Sequence, residues 1–244
     1  MADPTDTADR AGRSSGLAYG YLFDYGGTLD GEGWHWFDRT LHLYRLSGCE
    51  IPEPRIQQAF YAAEQAIAEE ARREGLRLRP LVERHVELQM AVLGDGARRF
   101  AAALVRGFCE MTEEGWQRAR TTFSRLRGRA RLGVVSNFYG NLDVLLEEGG
   151  LSPFLDAVVE SARVGIEKPD PAIYRLAAER LALAPEDVVM VGDNFDRDVR
   201  AARRIGMRAI WLRRGSAPPP EAGLAERVIS RLEEIEPPPV GALG

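Results

Sequence analysis

The chain has 244 residues, 45% of them hydrophobic and 28% charged, which is enough apolar content to bury a core and rules out a disordered or fibrous protein. A formal net charge of -5 leaves no basic footprint, which sets nucleic acid aside as a partner. No run approaches the roughly 20 apolar residues of a membrane span, so no membrane association is expected either. Cys49 and Cys109 lie far apart, belong to no metal-spaced cluster and come without a secretion signal, so the expectation is two reduced thiols in a cytoplasmic protein, neither of them a nucleophile. Of 32 basic residues 31 are Arg, and Lys168 is the single Lys. In a chain that prefers Arg so strongly, that lysine is a candidate for a task Arg cannot perform.

Residues 1–17 are polar, with no apolar stretch, and read as a flexible tail. A first strand is expected from about Ala18 to Asp24, where an apolar run ends abruptly in Asp24-Tyr25-Gly26-Gly27. Such a junction delivers one carboxylate to a tight turn whose backbone N–H groups can face a small anion. From residue 31 the spacing becomes helical. Trp34, Phe37, Leu41 and Tyr44 recur at intervals of three and four, as do Ile56, Phe60, Ala63 and Ile67, then Leu81, His85, Leu88 and Val92, then Phe100, Leu104 and Phe108. A separate helix from about Glu113 to Leu126 should lead back to the core. His35, His42 and His85 share no ligand spacing and read as ordinary cap or core residues.

After Arg131 short apolar runs alternate with helical segments. Strands are expected at 132–136, 157–160, 188–192, 209–212 and 228–229, and helices at 141–149, 171–181 and 196–205. That alternation implies right-handed crossovers and a mostly parallel, Rossmann-like α/β sheet with helices on both faces, which binds ligands beyond the carboxyl ends of its strands. The expected organisation is an α/β core at 18–30 and 116–236, an inserted all-helical subdomain at 31–115, and a Pro-rich tail at 237–244. Pro218-Pro219-Pro220 should be an extended connector.

Four strand ends carry chemistry: Asp24; Ser136-Asn137; Lys168 in Glu167-Lys168-Pro169-Asp170; and Asp193 in Gly192-Asp193-Asn194-Phe195-Asp196-Arg197-Asp198. Each alone has a local reading, with Asp193 a helix cap, Ser136 a turn former and Lys168 a surface residue. Together they make an anion site holding a hard cation, with paired carboxylates for Mg2+ and a hydroxyl and an ammonium for phosphate oxygens. In this order and over nearly the whole chain, Tyr19 to Ile235, the motifs resemble the haloacid dehalogenase superfamily, in the subgroup with a helical cap inserted after the first strand.

The resemblance implies a hydrolase, most simply a Mg2+-dependent phosphatase of a small phosphorylated metabolite, with Asp24 the nucleophile that forms an aspartyl-phosphate. It further implies that Ser136 and Lys168 bind the phosphoryl group, helped by Tyr25, Gly26 and Asn137. Asp24, Asp193 and the Gly26 carbonyl would ligate Mg2+, and Asp198 would order the metal's water shell. Family phosphatases usually carry a second Asp two residues after the nucleophile, where this chain has Gly26. Help from a general acid is typically ~10²–10⁴-fold, so alkyl phosphates should turn over slowly unless Asp30, Glu32 or His35 substitutes. The same departure keeps open a 2-haloacid dehalogenase-like reaction, although the retained Asp193 and Asp198 speak against it, and a non-catalytic relative that binds a phosphoryl ligand or a partner. Trp34, His35, Trp36 and Arg39 are the helical-segment residues best placed to meet a substrate.

Overall fold

The computed structural model describes residues 17–214 and 223–238; the expected N-terminal tail, the Pro218–Pro220 connector and most of the tail from residue 237 lie outside them. Six strands, β1 (Gly20–Phe23), β2 (Arg131–Ser136), β3 (Ala157–Glu160), β4 (Val188–Gly192), β5 (Arg208–Leu212) and β6 (Arg227–Ile229), form one sheet in the order β3-β2-β1-β4-β5-β6. Every pairing is parallel. The chain winds outward from β1 on one side, then crosses to β4 on the other, so the turn after β1 opens at the switch point where such sheets bind ligands. Among the described residues no helix is long and apolar enough to cross a membrane.

The strands are apolar on both faces because both are covered. Tyr21, Phe23, Leu132, Val134, Val189 and Val191 pack on one side with α4 (Ala101–Leu126) and α5 (Leu142–Glu148). Leu22, Val135, Val188 and Met190 pack on the other with α7 (Pro171–Arg180) and α8 (Ala201–Arg203). Between β1 and β2 lie α1 (Trp36–Leu46), α2 (Glu53–Glu74) and α3 (Leu78–Leu93), then α4; a one-turn α6 (Ser161–Val164) follows β3. Gly75, in the left-handed region at φ 58, caps α2. The helix expected at 196–205 is a wide turn over Phe195–Arg200 running into α8.

The separate helices expected at 100–108 and 113–126 prove to be one. The buried stripe of Leu104, Phe108, Thr112, Trp116, Ala119, Phe123 and Leu126 keeps helical spacing throughout, so nothing in the segment ends α4. Gly115 within it supplies room rather than a break, since a Cβ there would stand 2.6 Å from the Asp30 carbonyl carbon. The turn after β1 rests on this glycine.

Next to that contact, Asp30 and Arg39, both with fully buried side chains, form an ion pair at 2.7 Å. Asp30 Oδ1 accepts from the Gly27 N–H at 2.7 Å, and Oδ2 accepts from Trp36 Nε1 at 2.5 Å and Arg39 Nη2 at 2.7 Å. Arg39 also donates to the Asp30 carbonyl and to Thr112 Oγ1, and its guanidinium lies 4.3 Å from the centroid of the Phe108 ring. One carboxylate therefore ties the turn after β1 to α1 and, through Arg39, to α4. Breaking a buried pair from one side leaves an uncompensated charge and costs about 3–5 kcal/mol, whereas apolar replacement of both partners costs less. Urea unfolding should show Asp30→Ala destabilised by about that amount, and Asp30→Leu/Arg39→Met destabilised less than Asp30→Ala.

Candidate active site

The parallel register brings the strand ends together. Phe23 is paired with Val134 on one side and Val191 on the other, so Asp24 lies level with Val135 and Gly192, one residue short of Ser136 and Asp193. Its backbone N–H still donates to the Val191 carbonyl at 2.9 Å, which fixes the carboxylate to the rigid sheet. Asp24 Oδ1 accepts from Ser136 Oγ at 2.8 Å and from Lys168 Nζ at 2.6 Å. The same ammonium donates to Asp198 Oδ1 at 2.7 Å. Asp24, Asp193 and Asp198 each offer a carboxylate oxygen within 4.8 Å of the others, a group able to hold a metal ion.

The neighbouring residues of each motif hold these side chains in place. Asn137 clamps the Lys168 backbone, accepting from its N–H at 2.8 Å and donating to its carbonyl at 2.9 Å, so the Asn137 amide orients the lysine. Thr28 Oγ1 accepts from the Asp193 N–H at 3.1 Å and donates to Asp193 Oδ1 at 3.3 Å, while Trp211 Nε1 holds the Asp193 carbonyl at 2.8 Å. Asp198 Oδ2 accepts from the Asn194 N–H at 3.0 Å. Gly27 has φ +88, and a Cβ there would stand 2.4 Å from Asp193 Oδ2, so both the turn and the approach of Asp193 need glycine.

The cavity above these groups encloses about 120 Å³ and is lined on its floor by Asp24, Gly26, Ser136, Lys168, Asp193 and Asp198. Its upper wall comes from His35, Trp36, Phe60 and Glu64 together with Phe138 and Tyr139 after β2. Tyr25 is absent from it: its ring is fully buried and its hydroxyl accepts from Trp116 Nε1 at 3.1 Å, so any role in anion binding falls to its backbone N–H. Arg39 and Trp34, expected to face substrate, do not. Arg39 is in the Asp30 pair, and Trp34 packs against His42 at 4.7 Å and under the Arg214 guanidinium at 4.5 Å.

Of the three residues considered as stand-ins for the missing acid, only His35 lines the cavity. Asp30 is fully buried, and Glu32 pairs with Arg118 at 3.2 Å. His35 Nδ1 accepts from the Phe37 N–H at 3.3 Å, and burial, reinforced by the Arg197 guanidinium, lowers its pKa. With Nδ1 accepting, its ring proton sits on Nε2, where it can be donated. Cys49 and Cys109 are buried and free, and burial pushes the Cys109 thiol up to about 11. The sequence reading passed over Thr28, Phe60, Glu64, Tyr139 and Arg197. Glu64 did leave a signal, an acid lying between Phe60 and Ile67 on the apolar stripe of α2.

Burial, reinforced by the Asp24 and Asp198 carboxylates, pushes Asp193 well above the ordinary carboxylate range. Burial likewise pushes Asp198 up to about 6, with the Lys168 ammonium pulling against it. For Lys168 burial acts downward, but the Asp198 and Asp24 carboxylates outweigh it and hold the ammonium charged. A donor set of crowded, mutually repelling carboxylates suits a hard divalent cation. Raised carboxyl pKa values contribute stability that is present below about pH 4 and is lost as pH rises through the folded value, about 6 for Asp198. Metal-free protein should therefore lose thermal stability between pH 5 and pH 7 through this cluster. The loss should be smaller in Asp193→Asn, which at pH 7 should melt above the metal-free wild type in scanning calorimetry.

The chain is 43% identical over 113 residues, 46% of this chain and 45% of that one, to a phosphoserine phosphatase of Thermus thermophilus. It thus spans about half the length of the curated relatives it matches. Among solved structures, a dehalogenase with an intermediate complex superposes with a TM-score of 0.59 at 18% identity, covering 90% of this chain and 95% of that one. A phosphatase from Thermococcus onnurineus does so with a TM-score of 0.54 at 23% identity, covering 88% and 95%. These two show the fold alone. The pattern described as haloacid dehalogenase-like hydrolase matches residues 20–206, and the chain belongs to that family.

Proposed function

We propose that the protein is a Mg2+-dependent phosphatase of small phosphomonoesters that works through an aspartyl-phosphate on Asp24. The observation that carries this reading is the single ammonium of Lys168 shared by Asp24 and Asp198 beside Asp193. Similarity to a phosphoserine phosphatase points the same way. The helices at 31–115 act as a cap over the site, and the two buried free thiols suit a cytoplasmic setting.

Both side-chain hydrogen bonds of Asp24 fall on Oδ1, so one carboxylate oxygen is held while the other is left open. In the first step an Asp24–phosphorus bond forms as the ester oxygen leaves with its electron pair and takes a proton from solvent. In the second, water attacks phosphorus, the Asp24 carboxylate leaves, and inorganic phosphate is released. Lys168 Nζ and Ser136 Oγ donate to the phosphoryl oxygens as charge builds. Asp24 and Asp193, with the Gly26 carbonyl, would ligate Mg2+, and Asp198, held by Lys168 and by the Asn194 N–H, would be an outer group. Bound Mg2+ supplies positive charge to the phosphoryl oxygens and offsets the repulsion among the three carboxylates.

Phosphate release from para-nitrophenyl phosphate should require Mg2+ and vanish in Asp24→Asn. Absence of release from a broad ester panel, or metal-independent halide release from 2-haloacids, would overturn the assignment. Gly26 bears on the leaving group. Its φ of -69 and ψ of 114 suit any residue, and a Cβ there would lie 3.7 Å from Trp36 Nε1, ordinary contact distance. Gly26→Asp should therefore fold and speed hydrolysis of alkyl phosphates by about 10²–10⁴-fold relative to wild type, with a much smaller gain for aryl phosphates. An unchanged alkyl rate would mean that the missing acid is not limiting.

A further inference from the structure

The upper wall of the cavity holds a carboxylate that the phosphoryl chemistry does not use. Glu64 lines the cavity from the middle of α2 with 28% of its side-chain surface accessible. Both of the hydrogen bonds it makes fall on Oε1: Tyr139 O–H donates at 2.5 Å, and His85 Nε2 stands at 3.0 Å. The histidine is set in turn from inside the helical segment. Tyr44 O–H donates to Gln89 Oε1 at 3.1 Å, which turns the Gln89 amide nitrogen towards His85 Nδ1 at 2.8 Å. His85 is therefore held on both ring nitrogens, between the Gln89 amide and Glu64. Tyr139 and His85 thus hold a carboxylate at the cavity wall, with Gln89 and Tyr44 behind the histidine, and no described Arg or Lys pairs with it.

With both side-chain hydrogen bonds on Oε1 and no Arg or Lys beside it, this acid on an apolar helix face leaves Oε2 for a ligand to complete. Lys168 and Arg197 line the same cavity, but the rings beside Glu64 suit a cation. Trp36, Phe138 and Tyr139 form one ring cluster on the same wall, with centroids 5.7 Å apart for Trp36–Phe138 and 4.7 Å for Phe138–Tyr139, and ring faces attract ammonium groups. Size limits the rest of the ligand. A water needs about 10–15 Å³ of such space, so 120 Å³ holds about ten non-hydrogen atoms, a phosphate and a short chain.

We infer that Glu64, held by Tyr139 and His85, recognises a protonated amine, so that the preferred ligands are small phosphomonoesters of amino alcohols. This rests on the phosphatase reading for the phosphoryl end alone. The test is calorimetric titration of the full chain, without Mg2+ so that neither ligand turns over, by phosphoethanolamine and by hydroxyethyl phosphate, which has the same number of non-hydrogen atoms and no positive charge. A charge-assisted contact makes phosphoethanolamine bind about 10–100-fold tighter, and Glu64→Gln, which keeps the shape, abolishes the difference. Equal wild-type affinities would overturn the inference. So would a preference that survives Glu64→Gln, an equal loss of both ligands in that variant, or failure of both to bind. Turnover of para-nitrophenyl phosphate, measured on the same protein, separates the two readings: turnover without amine preference removes only the amine site, and amine preference without turnover removes only the hydrolytic assignment.

Discussion

The site depends on one cation placed among three carboxylates. Lys168 Nζ stands 2.6 Å from Asp24 and 2.7 Å from Asp198, with Asp193 completing the cluster. Without the ammonium, three acids at this spacing, Asp24 and Asp198 buried and Asp193 partly so, would be driven to take up protons. With it, Asp24 is anchored through one oxygen and left with the other. The compositional oddity of a lone lysine in an arginine-rich chain has its physical reason here: a compact ammonium can donate to two carboxylates in a space where a planar guanidinium would demand a wider fork.

Much of the surrounding structure serves to fix that arrangement. The sheet register sets Asp24, Ser136 and Asp193 at neighbouring strand ends; Asn137 pins the lysine backbone; Thr28 and Trp211 pin Asp193; and Gly27 leaves the room that Asp193 occupies. Rigid anchoring of this kind means that little reorganisation is needed as charge moves. The Asp30–Arg39 pair extends the same rigidity to the turn after β1 and the first helix beyond it. A carboxylate that looks like a spare acid in the sequence is in fact the tie between turn and helix.

The strand ends were legible because each is announced locally: an apolar run, then a polar residue in a short motif, with β3 and β4 falling at the expected residues. What the sequence concealed depends on which helix meets which. Nothing near Arg39 reveals that its partner is Asp30 and its bed Phe108, and the spacing of Phe100 to Phe108 does not say that the same stripe continues to Leu126. Glu64 lay between these cases. Its position on an apolar stripe was visible, but its meaning required Tyr139 and His85, which arrive from other segments.

In the proposed reaction Asp24 carries the phosphoryl group. Acid-quenching the enzyme during turnover, reducing with borohydride and mapping the peptides by mass spectrometry tests it directly. Residue 24 alone should be reduced to homoserine, and only when substrate and Mg2+ are both present. Turnover with an unmodified Asp24, or trapping at another side chain, would contradict it.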